Sequence, residues 1–187
     1  MSATGRGGHR DRLDRYYTPM ILAGALVDLI DLSDVSTVLE PSVGAGAFAQ
    51  AIWERRPGIE ITGADIDPGA PGFDYCDRAR VQDFLTWKTG DQRWDLVVGN
   101  PPYRHAQQHI EKALTLAPRV AFLLQLAFLE SQRRAAFWRR WPAARIWVLS
   151  ERPSFTQGGT DSTAYAFFLW DRAKPGPMRL DVLSWRR

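Results

Sequence analysis

Leu39-Glu40-Pro41-Ser42-Val43-Gly44-Ala45-Gly46-Ala47-Phe48 joins a short β-branched and aliphatic run, which begins at Ser36, to a helix-like run that continues to Arg56. The apolar run stops at proline and the glycines open the helical segment, so the order is strand, glycine turn, helix. Gly44 and Gly46 let the backbone bend sharply and come close to a ligand, and the N-terminus of the helix that follows points at the same spot. Alone, the turn also satisfies the relaxed dinucleotide pattern GxGxxG/A over residues 44–49, and many such turns serve only packing.

Working outward, the pattern repeats. Residues 59–67 (IEITGADID), 79–85 (ARVQDFL) and 94–100 (WDLVVGN) read as further strands, each ending in an acid or an amide beside turn residues. Polar groups therefore gather at the strands' C-terminal ends, where an open parallel α/β sheet binds its ligands. Ahead of these, Thr18-Pro19 introduces a capped helix over residues 20–32. Behind them, residues 109–117 read as helix, 119–129 as a long buried strand, 131–141 as helix, and 145–155, 164–172 and 178–185 as strands. The glycine-rich connection TQGGTDS, residues 156–162, predicts a late antiparallel hairpin on a mostly parallel sheet. With no internal repeat and no long linker, residues 16–187 form one domain behind a basic N-terminal arm, residues 1–15.

Composition narrows the class. The chain has 187 residues, 45% hydrophobic and 24% charged, which suits a normal globular core and excludes disordered, collagen-like and coiled-coil proteins. No apolar run approaches the roughly 18 residues of a membrane span, so a cytoplasmic protein with no membrane partner is expected. One cysteine, Cys76, forbids an internal disulfide, and three histidines cannot build a dense metal cluster. His105 and His109 stand one helical turn apart without a third ligand, so no metal is assigned. The basic residues are 21 Arg and 3 Lys. Residues 1–100 carry 10 basic and 15 acidic side chains, a balance of −5, and residues 101–187 carry 14 and 6, or +8. An anionic partner is thus expected to meet the later half.

The acids point to a cofactor. Asp65, about 20 residues beyond the glycine turn, stands where a carboxylate can accept both hydrogen bonds of a ribose diol. Asp67 follows it, either at the ribose or as a turn cap before Pro68. Asp83 can accept from an adenine amino group while Phe84 packs on the ring. Glu40-Pro41 places a further carboxylate beside the loop, which would repel a pyrophosphate but hold a cationic amino group. The preference is for S-adenosylmethionine over a nicotinamide dinucleotide.

Asn100-Pro101-Pro102-Tyr103, directly after the apolar strand, is the most specific motif. The exocyclic amine of adenine is a poor nucleophile because its lone pair is delocalised into the ring. A site that accepts hydrogen bonds from both amine protons pulls the nitrogen towards a tetrahedral shape and frees that pair. The Asn100 side-chain oxygen can accept one proton and the Pro101 carbonyl the other, while Tyr103 offers a face for base stacking. Proline removes a competing N–H and holds the preceding residue extended.

Together YYTP (residues 16–19), LEPSVGAGAF, GADID, VQDF, NPPY and the late RPSF…GGTDSTAYAFFLW resemble the gamma-class N6-adenine DNA methyltransferases, in particular small phage or prophage members. The resemblance runs from Tyr16 to about Asp171. It implies a Rossmann-like S-adenosylmethionine-dependent methyltransferase fold with a seven-stranded sheet, its last strand antiparallel, and methyl transfer to adenine N6 in DNA. By motif, Tyr17, Thr18, Pro19, Glu40, Pro41, Gly44 and Gly46 would hold the methionine end of the cofactor, Asp65 and Asp67 the ribose side, and Asp83 and Phe84 its adenine. Asn100 to Tyr103 would take a target base flipped from the duplex, clamped by Phe155, whose other reading is a core aromatic. Arg133, Arg134, Arg139 and Arg140 would meet phosphates, or simply form a solvated helix face.

Two departures from the family pattern follow. The segment between GADIDP and VQDF is too short and too rich in Gly and Pro for the usual helix. No segment after the hairpin suits a target-recognition domain, so specificity would be relaxed, or come from residues 133–141, the hairpin loop or a partner. An RNA adenine or protein-amide methyltransferase, or a non-catalytic nucleic-acid-binding subunit, are the competing readings, with a monomer or homodimer equally compatible.

Overall fold

The computed structural model describes residues 17–155 and 162–186; the arm expected over residues 1–15, Tyr16 and the connection at 156–161 lie outside the described residues. Twelve regular elements follow one another: α1 (Met20–Val27), β1 (Thr37–Glu40), α2 (Ala47–Arg55), β2 (Glu60–Asp65), β3 (Arg78–Val81), β4 (Leu96–Gly99), α3 (Ala106–Leu116), β5 (Arg119–Gln125), α4 (Ala135–Arg140), β6 (Arg145–Leu149), β7 (Tyr165–Asp171) and β8 (Arg179–Leu183). No described helix is long and apolar enough to cross a membrane.

All eight strands join one sheet in the order β3-β2-β1-β4-β5-β7-β6-β8. Strand β7 alone runs against the rest, antiparallel to both β5 and β6, and β8 adds to β6 in parallel at the outer edge. The sheet therefore has eight strands where the resemblance implies seven, and its last strand is parallel to its neighbour. Residues 178–185 form that extra strand because Arg179 to Leu183 pair with Arg145 to Leu149, supplying partners for a β6 edge that would otherwise stay open.

Alternation along the strands divides the core in two. Val38, Val98, Leu123 and Phe167 face α1 and α2, while Leu39, Val97, Phe122 and Phe168 face α3 and α4. On the second face Phe168, Trp138 and Trp170 stack at centroid distances of 5.9–6.1 Å. The N-cap of α1 is Pro19, with no side-chain capping bond, so Thr18 is not the cap that its position before proline suggests. Between β2 and β3 the chain makes a 3-10 turn, Pro71–Tyr75, as its Gly and Pro content led one to expect.

Strand order fixes the place of the site. From β1 the chain goes outward to β2 and β3, then returns to the other side of β1 with β4. The loops after β1 and β4 therefore diverge and leave a crevice at the sheet's C-terminal end. Glu40-Pro41 and Asn100-Pro101 stand at its two lips.

Candidate active site

A cavity of about 460 Å³ occupies this crevice, within the range for small-molecule sites. Tyr17, Pro41, Gly44, Asp65, Asp83, Phe84, Asn100, Pro101 and Pro102, all expected from the sequence, line it. So do Ser42, Ile66, Gln82, Leu85, Thr86, His105 and His109, which sequence reasoning did not assign to a ligand. A recess of about 30 Å³ opens beside it, with Tyr17, Thr18, Glu40, Gly44, Phe48 and Asn100 in its wall.

The glycine turn is built by neighbours that sequence order keeps far apart. Gly44 donates its N–H to Asp65 Oδ2 at 2.9 Å, and the Asp67 N–H donates to Asp65 Oδ1 at 2.9 Å. The carboxylate expected at the ribose thus also ties the turn to the end of β2, and each oxygen keeps a second lone pair for a hydroxyl. Asp67 accepts from the Gly69 N–H at 2.9 Å, capping that turn, and is not in the cavity wall. Asp83 accepts from the Leu85 N–H at 2.8 Å and remains exposed at the cavity rim. Phe84 is buried below, 5.4 Å from the His109 ring.

Lys112 of α3 is the residue that sequence reading missed most completely. Its ammonium donates to the carbonyls of Phe84 (2.5 Å), Leu85 (3.3 Å) and Trp87 (2.5 Å), and sits 5.0 Å from the Phe84 centroid. Burial lowers its pKa and Asp83 opposes that shift. A lone lysine on an amphipathic helix carries no sequence signal of such a role. Lys112→Met keeps the stem and removes the donors, so we expect about tenfold weaker S-adenosylmethionine binding by calorimetry, the equivalent of one or two hydrogen bonds. Unchanged affinity would refute the bracing role.

At the opposite end, Asn100 donates its Nδ2 to Thr18 Oγ1 at 3.2 Å. This bond joins the loop after β4 to the residue ahead of α1, 82 positions away in sequence. Tyr103 packs on Tyr165 at 5.6 Å, and Phe155 meets the same ring edge-on at 5.0 Å, so the three aromatics form one cluster beside the loop. Neither Tyr103 nor Phe155 lines the main cavity. Pro19 and Gly46 are not in its wall, nor are Arg133 and Arg134, which stand in the 3-10 turn Gln132–Arg134, or Arg139 and Arg140 at the end of α4. Arg134 is partly committed, its Nη1 donating to the Glu130 carbonyl at 2.9 Å.

Electrostatics separate the cofactors. Among the described residues no Arg or Lys lines the main cavity, whereas Asp65 and Asp83 do, and Glu40 stands in the recess. Burial also lowers the His109 pKa, which favours its neutral form. Among the described residues a pyrophosphate would find no cation here, while a positively charged cofactor meets the carboxylates of Asp65 and Asp83.

Glu40 is the most constrained of these. Burial drives its pKa well above the usual carboxylate range; the Ala49 N–H, donating to Oε2 at 2.9 Å, opposes this, and the Asp65 charge adds to it. The folded carboxyl thus holds its proton more tightly than the unfolded one, so stability falls as pH rises from the unfolded glutamate value, about 4.3, towards the folded one. Glu40→Gln keeps an acceptor for Ala49 and removes the titration. Without cofactor, the variant is expected to melt near wild type at pH 4 and several degrees above it at pH 8, yet to bind S-adenosylmethionine about tenfold more weakly. Thermal melts at both pH values decide, and a lower melting temperature at pH 8 would contradict the argument.

The fold is shared with Rossmann-like S-adenosylmethionine-dependent methyltransferases, among them the plantazolicin methyltransferase BpumL solved in complex with SAH, with a TM-score of 0.55 at 10% identity over 81% of this chain and 82% of that one. The 23S rRNA methyltransferase ErmE shares it with a TM-score of 0.61 at 17% identity, over 82% of this chain and 68% of that one. Among curated proteins, the type II methyltransferase M.TthHB8I of Thermus thermophilus is 37% identical over 92 residues, 49% of this chain and 21% of that protein. A tRNA1(Val) (adenine(37)-N6)-methyltransferase from a Flavobacteriaceae bacterium is 33% identical over 99 residues, 48% of this chain and 41% of that protein. The chain therefore spans well under half the length of either curated relative. No family model matches it.

Proposed function

We propose that this chain transfers a methyl group from S-adenosylmethionine to the N6 amino group of adenine in DNA, with the target base flipped out of its stack. The observation that carries the reading is Asn100, placed at the end of β4 and turned by its bond to Thr18 so that its nitrogen faces α1. The other end of the carboxamide is an acceptor oxygen, the group an adenine amine requires.

S-adenosylmethionine supplies an electrophilic methyl on a cationic sulfonium. Glu40 and the recess hold its amino-acid end, Asp65 the ribose, and Asp83 with Phe84 its adenine. Asn100 and the Pro101 carbonyl accept from the two amine protons of the target base and raise the nitrogen's nucleophilicity. Tyr103 and Phe155, joined through Tyr165, offer aromatic faces for that base. The remaining work is positioning in a water-poor crevice. The type II methyltransferase among the relatives supports methyl transfer, and the tRNA1(Val) (adenine(37)-N6)-methyltransferase supports an adenine acceptor. The second of them favours RNA as the alternative substrate.

Purified protein with methyl-labelled S-adenosylmethionine is to be offered unmethylated genomic DNA and, separately, transfer RNA, each then digested to nucleosides. Labelled N6-methyladenine from DNA is the expected result. Label confined to RNA, or to neither, would overturn the DNA assignment.

A further inference from the structure

A second cavity, of about 290 Å³, lies on the other side of the Asn100–Tyr103 loop, walled by Tyr103, Arg104, Gln107, Gln108, Phe128 and Arg134. Its charge is opposite to that of the cofactor cavity: among the described residues two guanidinium groups and no carboxylate face it. It is also built rather than incidental. Arg134 Nη1 donates to the carbonyls of Ala127 (3.2 Å), Phe128 (3.4 Å) and Glu130 (2.9 Å), with the guanidinium 4.6 Å from the Phe128 ring centroid. The turn that delivers Arg134 passes through Ser131 at φ 118°, the one non-glycine residue with positive φ among those described. Such a conformation persists only where its surroundings hold it, here Ser131 Oγ accepting from the Arg133 N–H and Arg134 gripping the Glu130 carbonyl. Gln107 donates to Glu111 at 3.0 Å, while Arg104 and Gln108 are exposed at the mouth.

We infer that this groove receives the nucleotide next to the target adenine of the substrate DNA, with Arg104 on the linking phosphate and Gln108 reading the neighbouring base. The inference rests on the adenine-methyltransferase reading of the Asn100 loop. Tyr103 walls the groove and ends that loop, so a strand whose adenine reaches Asn100 continues past Tyr103. There it meets cationic donors suited to phosphate, a carboxamide that can make two hydrogen bonds to a base edge, and the Phe128 ring. The groove thus makes the methyltransferase domain itself a reader of one flanking position.

Arg104→Ala and Gln108→Ala are each to be compared with wild type on oligodeoxynucleotides carrying one adenine with each of the four bases on either side. Melting temperature and S-adenosylmethionine affinity serve as controls for folding. Arg104→Ala is expected to raise the KM for every oligonucleotide about tenfold and to lower the slope of log affinity against log salt by about one. Gln108→Ala is expected to flatten the wild-type preference at one flanking position by about fivefold or more and leave the other position alone. Wild-type methylation of DNA with neither variant changing KM, salt slope or preference would overturn the groove and spare the function. DNA that binds, by fluorescence anisotropy, but is not methylated would overturn the function, and loss of that binding in Arg104→Ala would still support the groove. Binding confined to an RNA oligonucleotide, or no binding to either, would overturn both.

Discussion

Replacing Asn100 with alanine is expected to lower the proposed methyl transfer to DNA by at least about a hundredfold, the scale on which removal of one preorganised polar group is felt at a reacting centre, while S-adenosylmethionine still binds within a few-fold of wild type. The split follows from position. Asn100 touches the cofactor cavity at one end, but Tyr17, Gly44, Asp65, Asp83 and Phe84 supply most of its remaining wall. In the proposed reaction its carboxamide is instead the acceptor for the amine. Thr18→Val tests the same point from 82 residues away: it removes the Nδ2–Thr18 bond, loosens the aim of the carboxamide, and should lose roughly three- to tenfold in single-turnover rate with cofactor affinity kept. An Asn100→Ala protein that methylates at the wild-type rate would refute the catalytic assignment.

Gly46→Ala is expected to damage the fold itself. Gly46 sits at φ +80°, and a Cβ there would stand 2.6 Å from Gly72 Cα and 2.8 Å from Tyr75 Cδ2. Gly72 cannot retreat easily, since its own N–H donates to the Gly44 carbonyl at 2.9 Å and a Cβ on it would meet the Gly46 backbone nitrogen at 2.5 Å. Overpacking of this kind costs about 1–3 kcal/mol and the left-handed conformation about 1–2 kcal/mol more. At about 2–4 °C per kcal/mol for a chain of this size, the melting temperature should drop by roughly 5–15 °C. Cofactor affinity should fall with it, because the same turn forms the cavity wall. Gly58→Ala is the control: nothing lies within 4 Å of a Cβ there, so its melting temperature should barely move. Equal melting temperatures for the two variants would refute the packing argument.

Much of this architecture is legible before any coordinates. The alternation through Val38-Leu39 and Val97-Val98 announces two-sided burial, and LEPSVGAGAF, GADID, VQDF and NPPY each mark a strand end, because turn residues and acids interrupt an apolar run wherever the chain leaves the sheet. What a one-dimensional pattern cannot carry is pairing between distant segments. The eighth strand, Arg179 to Leu183, reads as a strand from its pattern, but its place at the sheet's outer edge, parallel to β6, is decided only by pairing with Arg145 to Leu149.

The site divides along the same line. Local chemistry nominated Asp65, Asp83, Phe84 and Asn100, because an acid, an aromatic or an amide beside a turn has a short list of uses. Lys112 escaped notice because its task is set by three carbonyls about 25 residues upstream, and the second task of Asp65 because its partner is the Gly44 N–H across the turn. The sequence by itself determined the class of fold, the cofactor's charge preference and the motif proposed to meet the amine, since each depends on residue type at a strand end. Only the tertiary structure decided that Asp67 caps a turn, that Thr18 orients Asn100 instead of capping a helix, and that Arg104, Gln108 and Arg134 share one groove. These depend on hydrogen-bond directions and close approaches between residues that only the folded chain brings together.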